Sequence, residues 1–172
     1  MFHRRIALAV LCLATALVAS ACGGGGGGGG TPFEPAPEPP APSTAELGYA
    51  QDVLDLVNTE RTSRGLDPVV ASAGAAQAAY GHAYDMEVRG FFDHTNPSGE
   101  GPPSRLARAG VSFSGWGENI AEGQPTPAAV MDAWMGSSGH RQNILNPSFR
   151  RLGVGVRLTA GGPFWVQDFV AP

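Results

Sequence analysis

Residues 23–30 are eight consecutive glycines, and the segment TPFEPAPEPPAP follows at once over 31–42. Neither stretch has the spaced apolar side chains that a core requires, so any fold must come from what lies beyond about residue 44. The glycine run behaves as a flexible coil spanning roughly 15 Å. The proline-rich part, extended at about 3.1 Å per residue, adds ~35 Å. Together, residues 22–44 read as a spacer in front of one domain at 45–172. A domain of that length buries about two-thirds of its unfolded surface, enough for a self-sufficient core.

Upstream of the glycines lies MFHRRIALAVLCLATALVASAC. Arg4 and Arg5 precede an apolar stretch from Ile6 to Val18, shorter than the roughly 20 residues that span a bilayer. Small residues follow, so 1–21 is expected to be a secretory signal. The end of this segment, Val18-Ala19-Ser20-Ala21-Cys22, resembles the processing box of bacterial lipoproteins, with Ala19 where leucine is preferred. That resemblance predicts acylation of Cys22 and a membrane anchor through the lipid; the alternative is simple secretion with Cys22 free. Cys12 leaves with the leader, so the domain cannot form an internal disulfide.

The eleven basic residues are all arginine and face fifteen acids, giving a formal charge of −4. Losing Arg4 and Arg5 with the leader takes it to −6. A phosphate-tracking surface is excluded on that balance, and nucleic acid is not an expected partner.

Periodicity places helices at 44–64, capped by Thr44, and at 71–89, ended by Gly90, with shorter ones near 103–109, 126–137 and 139–145. Residues 91–103 read as loop, and the short helix near 103–109 leads into a glycine-rich stretch. Gly153–Leu158 and Phe164–Val170 read as a closing hairpin about Gly161-Gly162-Pro163. Helices first and strands last predict mixed α and β in packed layers. Trp116, Trp134 and Trp165 are expected to fill the core or line a groove.

Several stock motifs are absent: there is no H-E-x-x-H, Gly136-Ser137-Ser138-Gly139 is one residue short of G-x-S-x-G, and Gly153-Val154-Gly155 lacks a third glycine. What remains is His94, Glu118 and His140, each read as lying where the chain leaves regular structure. Two imidazoles and a carboxylate suit a zinc-like divalent ion with one open position, provided tertiary structure joins them. His140, near a helix N-terminus, is favoured in the neutral form that ligates. For a single surface histidine, packing or a hydrogen bond is several times commoner than ligation, and Glu118 has the alternative of accepting backbone amides of the glycine-rich loop. His82, between Tyr80 and Tyr84 in mid-helix, is assigned to packing or solvent.

The ordered segments Phe91-Phe92-Asp93-His94-Thr95-Asn96-Pro97, Gly117-Glu118-Asn119-Ile120-Ala121, Trp134 to Leu145, Gly153-Val154-Gly155-Val156 and Phe164-Trp165-Val166-Gln167 resemble the CAP superfamily, which includes cysteine-rich secretory proteins, antigen 5 and pathogenesis-related proteins. Within it the chain is similar to the bacterial SCP-like branch, from about Leu47 to Val170. The resemblance implies an α+β fold, a three-layer α-β-α sandwich. It also implies a central cleft carrying two histidines and two acids. His94, Glu118 and His140 match three of these, while Ser137 stands where relatives have the fourth, so a three-residue metal site is expected. Asn119, Ser137, Ser138 and Arg141 are expected to line the cleft.

Such domains include zinc binders and lipid or sterol binders, and proteolysis has been proposed for a few. The leading expectation is therefore an envelope-anchored binding domain whose cleft holds zinc or another divalent cation and a small or lipidic ligand. A metal-assisted hydrolase of peptides or cell-wall material, with Glu118 as its catalytic group, and a structural adhesion domain with a vestigial cleft stay open as alternatives.

Overall fold

The computed structural model describes residues 34–172. The leader, Cys22 and the glycine run lie outside the described residues. Nine elements follow in order. They are α1 (Thr44–Thr62), β1 (Val70–Ala71), α2 (Ala73–Arg89), α3 (Pro102–Arg108), β2 (Gly115–Glu122), α4 (Pro127–Gly136), α5 (Ser138–Ile144), β3 (Arg151–Arg157) and β4 (Phe164–Ala171).

The caps fix the long helices. Ser43, not Thr44, caps α1: its hydroxyl accepts from the Glu46 amide while the Glu46 carboxylate accepts from the Ser43 amide, a reciprocal box that satisfies two otherwise orphan donors. Ser72 caps α2, and Gly90 closes it in the left-handed conformation at φ 64°, where a glycine lacks the usual steric cost.

The four strands form one mixed sheet in the order β1-β3-β4-β2, with β1 parallel to β3 and the other pairs antiparallel. One face packs against α2 and α3 through Ala75, Ala79, Ala83, Met86 and Leu106. The other packs against α1, α4 and α5 through Val53, Val57, Met131, Trp134 and Ile144. This is the expected α-β-α sandwich. Gly153 and Gly155 set the closeness of α2. A Cβ at Gly153 would lie 2.0 Å from the carbonyl carbon of Ala75, and one at Gly155 would lie 2.2 Å from the Tyr80 nitrogen.

Two elements differ from the sequence reading. The glycine-rich stretch, to which no element is assigned from sequence, contains β2, an eight-residue edge strand, and Val70–Ala71 forms a short strand just ahead of the second helix. β2 exists because β4 pairs with it from Gly115↔Ala171 to Glu122↔Phe164, a partner about fifty residues away that local propensity cannot register. Trp134 and Trp165 are fully buried, the latter stacked on Tyr49, whereas Trp116 is exposed.

Candidate functional site

Successive side chains of a strand point to opposite faces, and β2 uses this across three residues. Gly117 leaves room for α5, since a Cβ there would come within 2.8 Å of Asn143 Oδ1. Glu118 points into the α2–α3 layer, and Asn119 points the other way, under α5. The expected position of Glu118 outside regular structure is thus corrected: it sits in mid-strand, paired with Asp168.

Glu118 is buried, and both its oxygens are engaged. Oε1 lies 2.7 Å from His94 Nδ1, and Oε2 accepts from Arg105 Nη2 at 2.6 Å. Burial works against its charge, but His94 and Arg105 prevail and hold its pKa below the ordinary carboxylate range. Conversely, the Glu118 hydrogen bond raises His94 above the usual histidine value. His94 belongs to the loop between α2 and α3, and its side chain is half exposed. Arg105 also fixes that loop by donating to the His94 and Glu100 carbonyl oxygens at 3.0 and 2.8 Å.

Asn119 is fully buried, a correction to its expected place along the cleft. Its Nδ2 donates to the His140 carbonyl oxygen at 3.1 Å and to Gln167 Oε1 at 2.9 Å, while Oδ1 accepts from Asn143. It therefore ties α5 to the sheet edge and places His140. Burial and the charge of His94 depress the pKa of His140, so the two imidazoles sense one another across the edge of β2. Ser137 ends α4 and starts α5 without a side-chain cap bond. Ser138 and Arg141 are exposed, and Arg141 donates to the Met135 carbonyl oxygen.

Two further residues belong to this cluster, and the spacing of motifs pointed to neither. Arg105 is the cation that neutralises Glu118. Asp168, directly opposite Glu118 on β4, is wholly buried, and neither oxygen has a hydrogen-bond partner among the described residues. Burial and the Glu118 charge push its pKa well up, so it is held as the neutral acid. A polar Gln167-Asp168 pair inside an otherwise apolar strand was the available signal. His82 lies behind the site, fully buried, and its Nε2–H donates to the Asp93 carbonyl oxygen at 2.9 Å. Burial, then the Arg105 charge, lowers its pKa to about 4.

Among the described residues, no group of three or more His, Cys, Asp or Glu is arranged to hold an ion. The hydrogen bonding gives the reason: the carboxylate expected as third ligand already serves His94 and Arg105.

The family model for the cysteine-rich secretory protein family, CAP, matches residues 54–169. The chain belongs to the CAP family. This CAP domain is 40% identical over 130 residues to the uncharacterized protein YkwD of Bacillus subtilis (strain 168), covering 76% of the chain and 49% of that protein. The uncharacterized membrane protein YlbC of the same organism is 32% identical over 120 residues, covering 70% of the chain and 34% of YlbC. In the crystal structure of an extracellular protein containing a SCP domain from Bacillus anthracis str. Ames, the match has 35% identity and a TM-score of 0.69. It covers 74% of the chain and 41% of that protein. The chain thus spans about half or less of the length of these CAP relatives.

Proposed function

We propose that the chain is an exported, envelope-associated CAP domain that binds rather than transforms its ligand, using a divalent ion held by His94 and His140. The location is supported by the leader with its Cys22 processing box, and by similarity to an uncharacterized membrane protein and an extracellular protein.

The observation that carries the site is the 2.7 Å bond between His94 Nδ1 and Glu118, itself held at 2.6 Å by Arg105. It fixes the ring and leaves Nε2 as the nitrogen offered to the cleft. A carboxylate behind a histidine in this way orients the ring and raises its basicity toward a metal. The depressed pKa of His140 favours the neutral, ligating form. Both imidazoles therefore fit zinc, while Glu118 is the orienting partner rather than a ligand. A bound zinc would supply a Lewis-acidic centre for a carbonyl, carboxylate or headgroup oxygen of a small or lipidic ligand.

Catalysis is not favoured, because a hydrolase needs a free general base within reach of its water. Glu118 has both oxygens committed, and Ser137 replaces the second acid.

Zinc titration by calorimetry tests the reading. One site is expected in the wild type, lost in His94→Ala and in His140→Ala, and weakened ten- to a hundred-fold in Glu118→Gln. Absence of a site, or a site indifferent to both histidine substitutions, would refute it.

A further inference from the structure

Residues 34–42 close the low-complexity stretch that composition reads as a free spacer, yet they lie against the domain. Ala36, Pro37, Pro39 and Pro42 are partly buried, whereas Glu34, Glu38 and Pro40 face solvent. Ala36, Pro39 and Pro42 recur at every third residue, which is the period of a polyproline helix. One edge of an extended strand therefore faces inward.

Beneath it lies the outward side of α2, where Ala73, Gln77 and Gly81 follow at four-residue steps. The strand and this helix side enclose a 690 Å³ cavity. A Cβ on Gly81 would meet nothing within 4 Å, so the floor is open there. Both ends of the segment are fixed. The Glu34 carbonyl oxygen accepts from Ser98 Oγ and from Arg89 Nη1, and Pro42 runs directly into Ser43, the cap of α1.

We propose that the outward side of α2 is a docking groove for an acidic, proline-rich extended segment, and that residues 35–42 are its resident ligand. Three features make the fit. A polyproline strand is already extended, so docking costs it little chain entropy. Alanine and glycine on the helix admit a backbone that carries pyrrolidine rings. Arg89 holds the Glu34 carbonyl oxygen at one end and places its positive charge beside the Glu34 carboxylate. The arm thus covers the groove in cis, with the 690 Å³ cavity left between strand and helix, and another segment of this chemistry enters only when the arm leaves.

The test uses the full chain with Cys12 and Cys22 changed to serine, and a nitroxide on Glu38→Cys, whose side of the strand faces solvent. The spectrum should report an immobilised label. Adding Gly81→Glu, which places a repelling side chain in the groove, or Pro39→Arg, which disrupts the buried edge of the arm, should shorten the rotational correlation time several-fold. Circular dichroism should stay native, because position 81 packs against nothing. A synthetic peptide of residues 31–42 should then bind the Pro39→Arg chain in a heteronuclear NMR titration, shifting the Gln77 and Gly81 amides, and should leave the wild type unchanged. A label as mobile in the unsubstituted chain as in Gly81→Glu overturns the proposal. So does failure of the peptide to bind the released-arm chain at millimolar concentration. Immobilisation that appears only on dimer formation, followed by light scattering, overturns the cis assignment and makes a second copy the occupant.

Discussion

Acidification should unlatch the loop that carries His94, through His82. This ring has no solvent exposure, and among the described residues its only hydrogen bond runs from Nε2–H to the Asp93 carbonyl oxygen, one residue before His94. Nδ1 is buried without a partner among the described residues, and the Arg105 guanidinium adds a like charge against protonation. The folded pKa is lowered to about 4, against ~6.5 in an unfolded chain. Below pH 6.5 the unfolded state therefore takes up a proton that the folded state refuses, so stability falls as pH falls, and the loss is complete near pH 4. A shift of that size corresponds to about 3 kcal/mol, at 1.36 kcal/mol per pH unit.

His140, also depressed, acts in the same direction. His94, raised, acts in the opposite one: its contribution is present below the unfolded value and is lost as pH climbs through the folded one. The difference between wild type and His82→Gln removes both, because glutamine keeps a donor for Asp93 without titrating. Urea unfolding at half-unit steps from pH 7.5 to 4 measures that difference. The variant should gain about 3 kcal/mol relative to wild type across this range. Two parallel stability curves, with a constant gap, would refute the argument that a neutral buried His82 is part of the fold.

Other expectations follow from single contacts. Gly153→Ala drives a methyl into the backbone of α2 and should cost about 3 kcal/mol or more, or prevent folding altogether, in urea denaturation. Asp168→Asn should be tolerated, since it copies a neutral acid facing Glu118. Because the folded pKa of Asp168 is raised, the wild type loses its contribution as pH rises above the unfolded value. The variant should therefore gain on wild type between pH 4 and pH 8, and a gap moving the other way would contradict the neutral assignment. Cys22→Ser should shift the protein from the membrane fraction to the soluble one in a cell-fractionation blot, and unmodified wild type in the medium would refute the lipid anchor.

The long helices were legible because their signals are local: Ser72 and Gly90 bracket α2, and the caps differ from expectation by a residue or two. β2 was not, because Gly115 and Gly117 weaken the strand pattern and the partner that creates it is β4. The site was legible in part. The ordered CAP segments identify His94, Glu118 and His140, but nothing in their spacing reveals that a buried arginine on a seven-residue helix competes for the carboxylate. Arg105 becomes visible only when α3 is laid over β2, and Asp168 only when Glu118↔Asp168 sets the register. The docked arm escaped for the same reason, since its groove lies on α2, some forty residues further along the chain.

In the proposed site His94 and His140 share a divalent ion through the nitrogens that the hydrogen bonds leave free, with Glu118 behind His94. A long-range ¹H–¹⁵N experiment on the imidazoles, recorded with and without one equivalent of zinc, tests it directly. Zinc should shift His94 Nε2 and the His140 ring, while the His94 Nδ1–H resonance persists in its bond to Glu118 and His82 stays unchanged. Spectra unaltered by zinc, or loss of the Nδ1–H signal as Glu118 turns to the metal, would contradict it.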